Sequence, residues 1–205
     1  MRSARLWPGV LLCIALLAGE RPGEASPRAD VGAFRSIAGK GEGYSQGWNV
    51  SVLGADLTLH ISLLVTNYGP GDENNGLSVV LSQGGEDRVW TAAYSSRSLT
   101  ATPGEYGVKI GRTRLFREDG RIHLRLWAPG IAGELELQPE GQGFDLFGGP
   151  LYLDAERSRR MEIAIPVVSA AVRGELRIQN EAPIAVSGRG GMEYGFADHL
   201  LYQTL

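Results

Sequence analysis

The residues best equipped for chemistry gather at the end of the chain: Tyr194, Asp198, His199 and Tyr202. A carboxylate beside an imidazole can orient the ring or raise its pKa, and such a pair can move a proton near neutral pH. Adjacent residues on a strand point to opposite faces, so Asp198 and His199 need a bent backbone or separate partners. Spacing alone favours a structural closing segment that hydrogen-bonds across a barrel mouth. The other histidines, His60 and His123, are far apart and form no H-x-x-x-H pair, so a metal site is unsupported. Both fall on the polar sides of their predicted strands, where a solvent-facing role is the simpler reading and a wet cavity wall the sharper one. No G-x-S-x-G is present. Gly39–Gly43 and Gly188–Gly191 complete neither a Walker nor a dinucleotide pattern and read as turns. No cofactor is implied. Asn49-Val-Ser51 is a lone glycosylation sequon inside a predicted strand, and chance explains it better than use.

These residues must be carried by a body of limited size. The 205 residues are 43% hydrophobic and include 29 glycines, which suits one globular all-β domain with many tight turns. Residues 1–25 have a basic start at Arg2 and Arg5, an apolar run from Leu6 to Ala18, and a small-x-small site at Gly23-Glu24-Ala25. That pattern predicts a cleaved signal peptide, with Ser26 the first mature residue and Ala18-Gly19 an earlier alternative site. Export to a secreted or periplasmic location follows. The only cysteine, Cys13, leaves with it. Disulfides, Cys-zinc ligation and a Cys nucleophile are thereby excluded from the mature chain. Loss of Arg2, Arg5, Arg21, Glu20 and Glu24 leaves 17 basic against 21 acidic residues. Such a balance argues against a nucleic-acid partner and offers no polybasic patch for anionic lipid.

Beyond a loose leader over 26–43, the pattern is strand after strand. Leu57, Leu59, Ile61, Leu63 and Val65 alternate with Thr58, His60, Ser62, Leu64 and Thr66, giving a long half-buried strand. Trp48, Val50 and Val52 mark a strand before it. Asn74-Asn75-Gly76 reads as a turn before a strand over 77–82, and 88–94 follows. Residues 95–104 read as a loop. Ile122, Leu124 and Leu126 alternate with Arg121, His123, Arg125 and Trp127, and Ile131 to Leu137 alternates too. Residues 139–150 read as a glycine-rich loop. Strands over 161–166, 169–178 and 184–187 complete the set, with Gly174 at a bulge. No amphipathic helix is evident before residue 192. About ten strands with short turns predict an antiparallel up-and-down barrel over 44–205.

The runs Trp48 to Val50, Val65 to Asp72, Val172 to Leu176, Val186 to Gly190 and Asp198-His199, in that order, resemble the lipocalin-like family of carotenoid hydratases and fungal oxidative-stress survival proteins. The likeness covers about residues 44 to 199. It implies a lipocalin-like barrel of eight to ten strands, the first of two consecutive barrels. It also implies that Asp198 and His199 protonate an isoprenoid alkene for hydration, with Tyr194 nearby. Two departures bear on this. Leu200 and Leu201 stand where the family has an aromatic residue, for which Tyr202 is an approximate substitute. The sequence ends at Leu205, where a second barrel would begin.

Three readings follow. The preferred one is an exported single barrel that binds an apolar small molecule, a lipid or isoprenoid, with Trp48, Trp90, Trp127 and Tyr202 as ligand-binding residues; each Trp is equally well read as core. A second barrel or a homo-oligomer would complete it. The second is a terpenoid hydratase using Asp198, His199 and Tyr194. The third is an envelope or assembly module whose barrel is filled by its own side chains.

Overall fold

The computed structural model describes residues 28–29, 43–67, 74–95, 99–100 and 107–198. Fourteen strands occur among them, in chain order β1 (Arg28–Ala29), β2 (Ser45–Gly54), β3 (Leu57–Thr66), β4 (Asn74–Gln83), β5 (Glu86–Tyr94), β6 (Leu99–Thr100), β7 (Gly107–Ile110), β8 (Thr113–Glu118), β9 (Arg121–Ala128), β10 (Ile131–Pro139), β11 (Gly143–Asp145), β12 (Leu151–Tyr152), β13 (Arg160–Ile178) and β14 (Ile184–Ala197). Four are fragments of two or three residues. The other ten form a nearly closed antiparallel barrel, as the alternation predicts. The hydrogen-bonded path runs β5-β4-β3-β2-β14-β13-β10-β9-β8-β7-β6.

Closure between the two ends of that path rests on side chains. Tyr94 on β5 donates its hydroxyl proton to the Trp127 carbonyl at 3.3 Å. Its ring packs so closely on Gly111 that a β-carbon there would overlap it. Trp90 lies against Gly130 in the β9–β10 turn, and Arg88 pairs with Glu181 at 2.8 Å. Burial pushes the Tyr94 phenol above its ordinary range.

The inward stripes are those the sequence predicts. Leu57, Leu59, Ile61, Leu63 and Val65 on β3, and Ile122, Leu124 and Leu126 on β9, are all buried in one apolar cluster. The centre is solid. Trp48, Ile61, Leu63, Leu81, Leu115, Leu124, Leu137 and Leu176 come from seven strands, and each has 0% of its surface accessible. A void able to admit even water would leave accessible area on the side chains around it.

Several local expectations are corrected. The glycines at 188–191 lie within β14. They are there because strands pass close: a β-carbon on Gly188 would overlap the Leu53 carbonyl, and one on Gly190 the Ser51 carbonyl. Residues 161–178 form one strand; register shifts between Ala164 and Ala170 absorb the buried Pro166 without ending it. Asn74, Asn75 and Gly76 open β4. The 26–43 leader contains β1, which pairs with β11 inside the segment read as a loop over 139–150; β6 likewise lies within the 95–104 loop. Each of these pairings gives the backbone partners that a one-dimensional pattern cannot see.

Candidate functional site

Among the described residues the inner face is apolar except at Thr113 of β8 and at one end of β2, β4 and β14. Gln46 stands in phase with Trp48, Val50 and Val52, so the pleat turns its amide into the barrel, where it is 1% exposed. Tyr44 donates to Gln46 Oε1 at 2.6 Å, and Gln46 Nε2 donates to the Tyr194 hydroxyl at 2.9 Å. One amide thus orients two phenols. Tyr194 also packs on Trp48, ring centroids 5.9 Å apart, and Tyr44 meets Phe196 edge-on at 5.6 Å. Nearby in the register, Asn75 points inward and donates to the Ser95 carbonyl at 2.9 Å. Two buried polar atoms, Trp48 Nε1 and Asn75 Oδ1, have no hydrogen-bond partner among the described residues. Each such atom costs about 1–3 kcal/mol unless something satisfies it.

The residues picked out by sequence are therefore partly gathered and partly dispersed. Tyr194 and Trp48 touch. Asp198 lies four positions beyond Tyr194, about 13 Å along an extended strand. Its carboxylate accepts from the Arg160 backbone N–H at 2.8 Å and faces the Arg160 guanidinium at 3.9 Å. Those contacts fasten the end of β14 to β13. His199 and Tyr202 lie outside the described residues. Trp90 is half-buried at the barrel seam. Trp127 is on the outer wall, its ring stacked under the Arg112 guanidinium at 4.5 Å. Sequence reasoning missed Tyr44, Gln46 and Asn75. Gln46 was findable as a polar residue inside an apolar stripe, whereas Asn75 was hidden by the turn signal of its neighbours.

His60 and His123 are both on the outer wall. His60 is held by Ser51 at 2.9 Å and Ser62 at 3.1 Å, one hydroxyl on each ring nitrogen. Among the described residues no carboxylate orients it, so there the group lacks the third member of a hydrolytic triad. His123 stacks on Phe116 with centroids 5.1 Å apart. Among the described residues, no three His, Cys, Asp or Glu side chains converge on one point.

The outer wall over β9, β10 and β13 carries an open groove of about 830 Å3. Register places Trp127 beside Ala132 and Ala132 beside Arg177; the next outward rows are Arg125, Glu134, Glu175 and then His123, Glu136, Arg173. Gly133 and Gly174 let β10 and β13 approach closely at its floor, since a β-carbon on Gly174 would overlap the Glu134 carbonyl. Glu136 bonds Arg173 at 2.6 Å and lies 3.4 Å from Arg121. Burial works to raise the Glu136 carboxyl. It is outweighed by the Arg173 hydrogen bond and the charges of Arg121, Arg173 and His123, so the net shift is downward.

No family model and no curated protein sequence matches the chain. Solved structures do match it. A crystal structure from Nitrosomonas europaea, of a protein with the provisional name AttH, is similar with a TM-score of 0.57 at 17% identity, over 84% of this chain and 59% of that one. Kievitone hydratase from Nectria haematococca is similar over 84% of this chain and 54% of its own length, with a TM-score of 0.49 and 11% identity, a likeness too slight to argue from. At these identities what is shared is the fold, a lipocalin-like barrel. The chain spans 59% of the length of the AttH protein.

Proposed function

We propose that this chain is an exported binding and assembly module: a lipocalin-like barrel stabilised by a solid interior, which meets its ligand or partner at its outer wall and polar end. The supporting observation is the absence of accessible surface on inner side chains from seven strands. A lipid tail needs a channel, and admitting one here would require expelling side chains already in apolar contact, with no net gain in apolar burial. Residues 1–25 support export. The test has two parts. Organic extraction of the purified protein should yield no stoichiometric lipid, and neutral apolar probes should give no saturable change in tryptophan fluorescence. A co-purifying lipid, or saturation by a neutral probe, overturns the reading. Recovery of full-length chain with residues 1–25 intact inside the cell overturns the export part.

The apolar-ligand reading keeps one observation of its own, the pair of buried atoms on Trp48 and Asn75 that have no partner among the described residues. A molecule with an acceptor for Trp48 Nε1 and a donor for Asn75 Oδ1 would satisfy both, and the extraction experiment decides between the two readings. The hydratase reading has Tyr194 in its favour, a buried phenol oriented by Gln46. Against it stands Asp198, whose carboxylate is engaged by the Arg160 backbone.

A further inference from the structure

We propose that the outer groove over β9, β10 and β13 is a binding site for a small aromatic carboxylate. The inference deepens the reading above, because it rests on the outer wall being the working surface.

Size comes first. About 830 Å3 lies within the range of sites that hold small molecules, and far exceeds what a water-filled crease between side chains needs. Shape comes next. The row Trp127, Ala132, Arg177 sets an indole on one side, a methyl in the middle and a guanidinium on the other. β9 and β13 are two strand spacings apart, about 10 Å, which is room for one flat ring system.

Charge decides the class. At the Trp127 end, Arg112 and Arg125 line the groove, with Arg114 beside Arg125 in the register, and the carboxylates on that row are Glu134 and Glu175, the second already paired with Arg177 at 2.7 Å. Arg125 meets Glu134 only loosely, at 3.7 Å, with both side chains mostly exposed. Arg112 and Arg114 have no carboxylate partner among the described residues; they stack on Trp127 and Phe116 at 4.5 and 4.4 Å. At the other end Glu136 lies against both Arg121 and Arg173, so each guanidinium there already has a carboxylate partner. This cationic excess stands on a chain of net charge −3, so it is a local feature. A guanidinium stacked on a ring is held flat with its N–H edge outward, the posture for bidentate capture of a carboxylate. The apolar body of the same ligand would cover Ala132 and the indole edge.

The probe is 2-naphthoate, titrated against the whole protein by calorimetry, with 2-naphthamide as the neutral control. The expected result is saturable one-to-one binding that weakens with salt, at least about tenfold tighter for the acid than the amide. Arg112→Gln and Trp127→Leu should each weaken it by about tenfold or more. Arg157→Gln, which removes a guanidinium stacked on Tyr152 far from the groove, should leave it unchanged. Absence of saturation by about 10 mM, or equal losses in Arg112→Gln and Arg157→Gln, overturns the proposal. Equal binding of the amide, with binding unaffected by Arg112→Gln, also overturns it and points to the interior, so that the solid-barrel reading falls as well. A failure of naphthoate alone leaves that reading standing.

Discussion

The solid interior predicts what Leu124→Ala will cost. Leu124 is 0% exposed and belongs to the same buried cluster as Leu63 on β3. Truncation to alanine removes the transfer free energy of about three methylene equivalents, about 2.4 kcal/mol at ~0.8 kcal/mol each. In a packed core it also leaves a hole. About 70 Å3 of unrelaxed cavity at ~24 cal/mol per Å3 adds about 1.7 kcal/mol, for a total of about 4 kcal/mol. In a hollow barrel the leucine would already face a void. No new cavity term would arise, and the cost would stay at the transfer value of about 2.4 kcal/mol or less. The assay is urea unfolding followed by tryptophan fluorescence. With a slope m of about 2 kcal/mol per M, the packed interior predicts a midpoint lower by about 2 M at unchanged m. Leu63→Ala should behave alike. A second readout guards against a mutant that refolds around the hole: the new cavity is dry, so benzene should stabilise Leu124→Ala and not the parent. Costs of about 2.4 kcal/mol or less at both positions, with benzene stabilising the parent equally, would refute the reasoning.

Further outcomes follow from the same contacts. Gln46→Leu keeps the volume but removes the amide that orients Tyr44 and Tyr194, and should cost about 1–3 kcal/mol, read as a lower thermal midpoint. Tyr94 has its folded pKa raised by burial above the ordinary 10.0. It favours the folded state fully below that value, and this contribution is lost as pH rises through the folded pKa; Tyr94→Phe should flatten the alkaline slope of stability. Glu136 is the opposite case. Its folded pKa lies below 4.5, so its contribution is complete above that value and fades as pH falls through the lowered one. Glu136→Gln should flatten the acid limb of a stability-against-pH curve. Gly174→Ala drives a β-carbon into the Glu134 carbonyl and should cost about 1–3 kcal/mol, seen by urea unfolding.

The inner stripes of β3 and β9 were legible because alternation is local: every second residue of one segment reports the same environment. The strand breaks at 167–168 and 188–191 were misread because proline and glycine carry the same local signal in a turn, a bulge or a close strand crossing. Only the neighbour decides which. Gly190 is required by the Ser51 carbonyl, 139 positions away in the chain. The candidate site divides the same way. Tyr194 and Trp48 stood out by residue type. Gln46 gained meaning only when β2 was found beside β14, and the groove only when β10 was found between β9 and β13.

The sequence by itself determined the all-β class and the inward residues of the long strands. The tertiary structure decided that the inward residues meet at the centre with no room left, and that Arg112, Trp127 and Arg177 share one outer wall. The physical reason is that pleat and composition act over a few residues, whereas lateral pairing and closure depend on which distant strands bury each other's apolar faces.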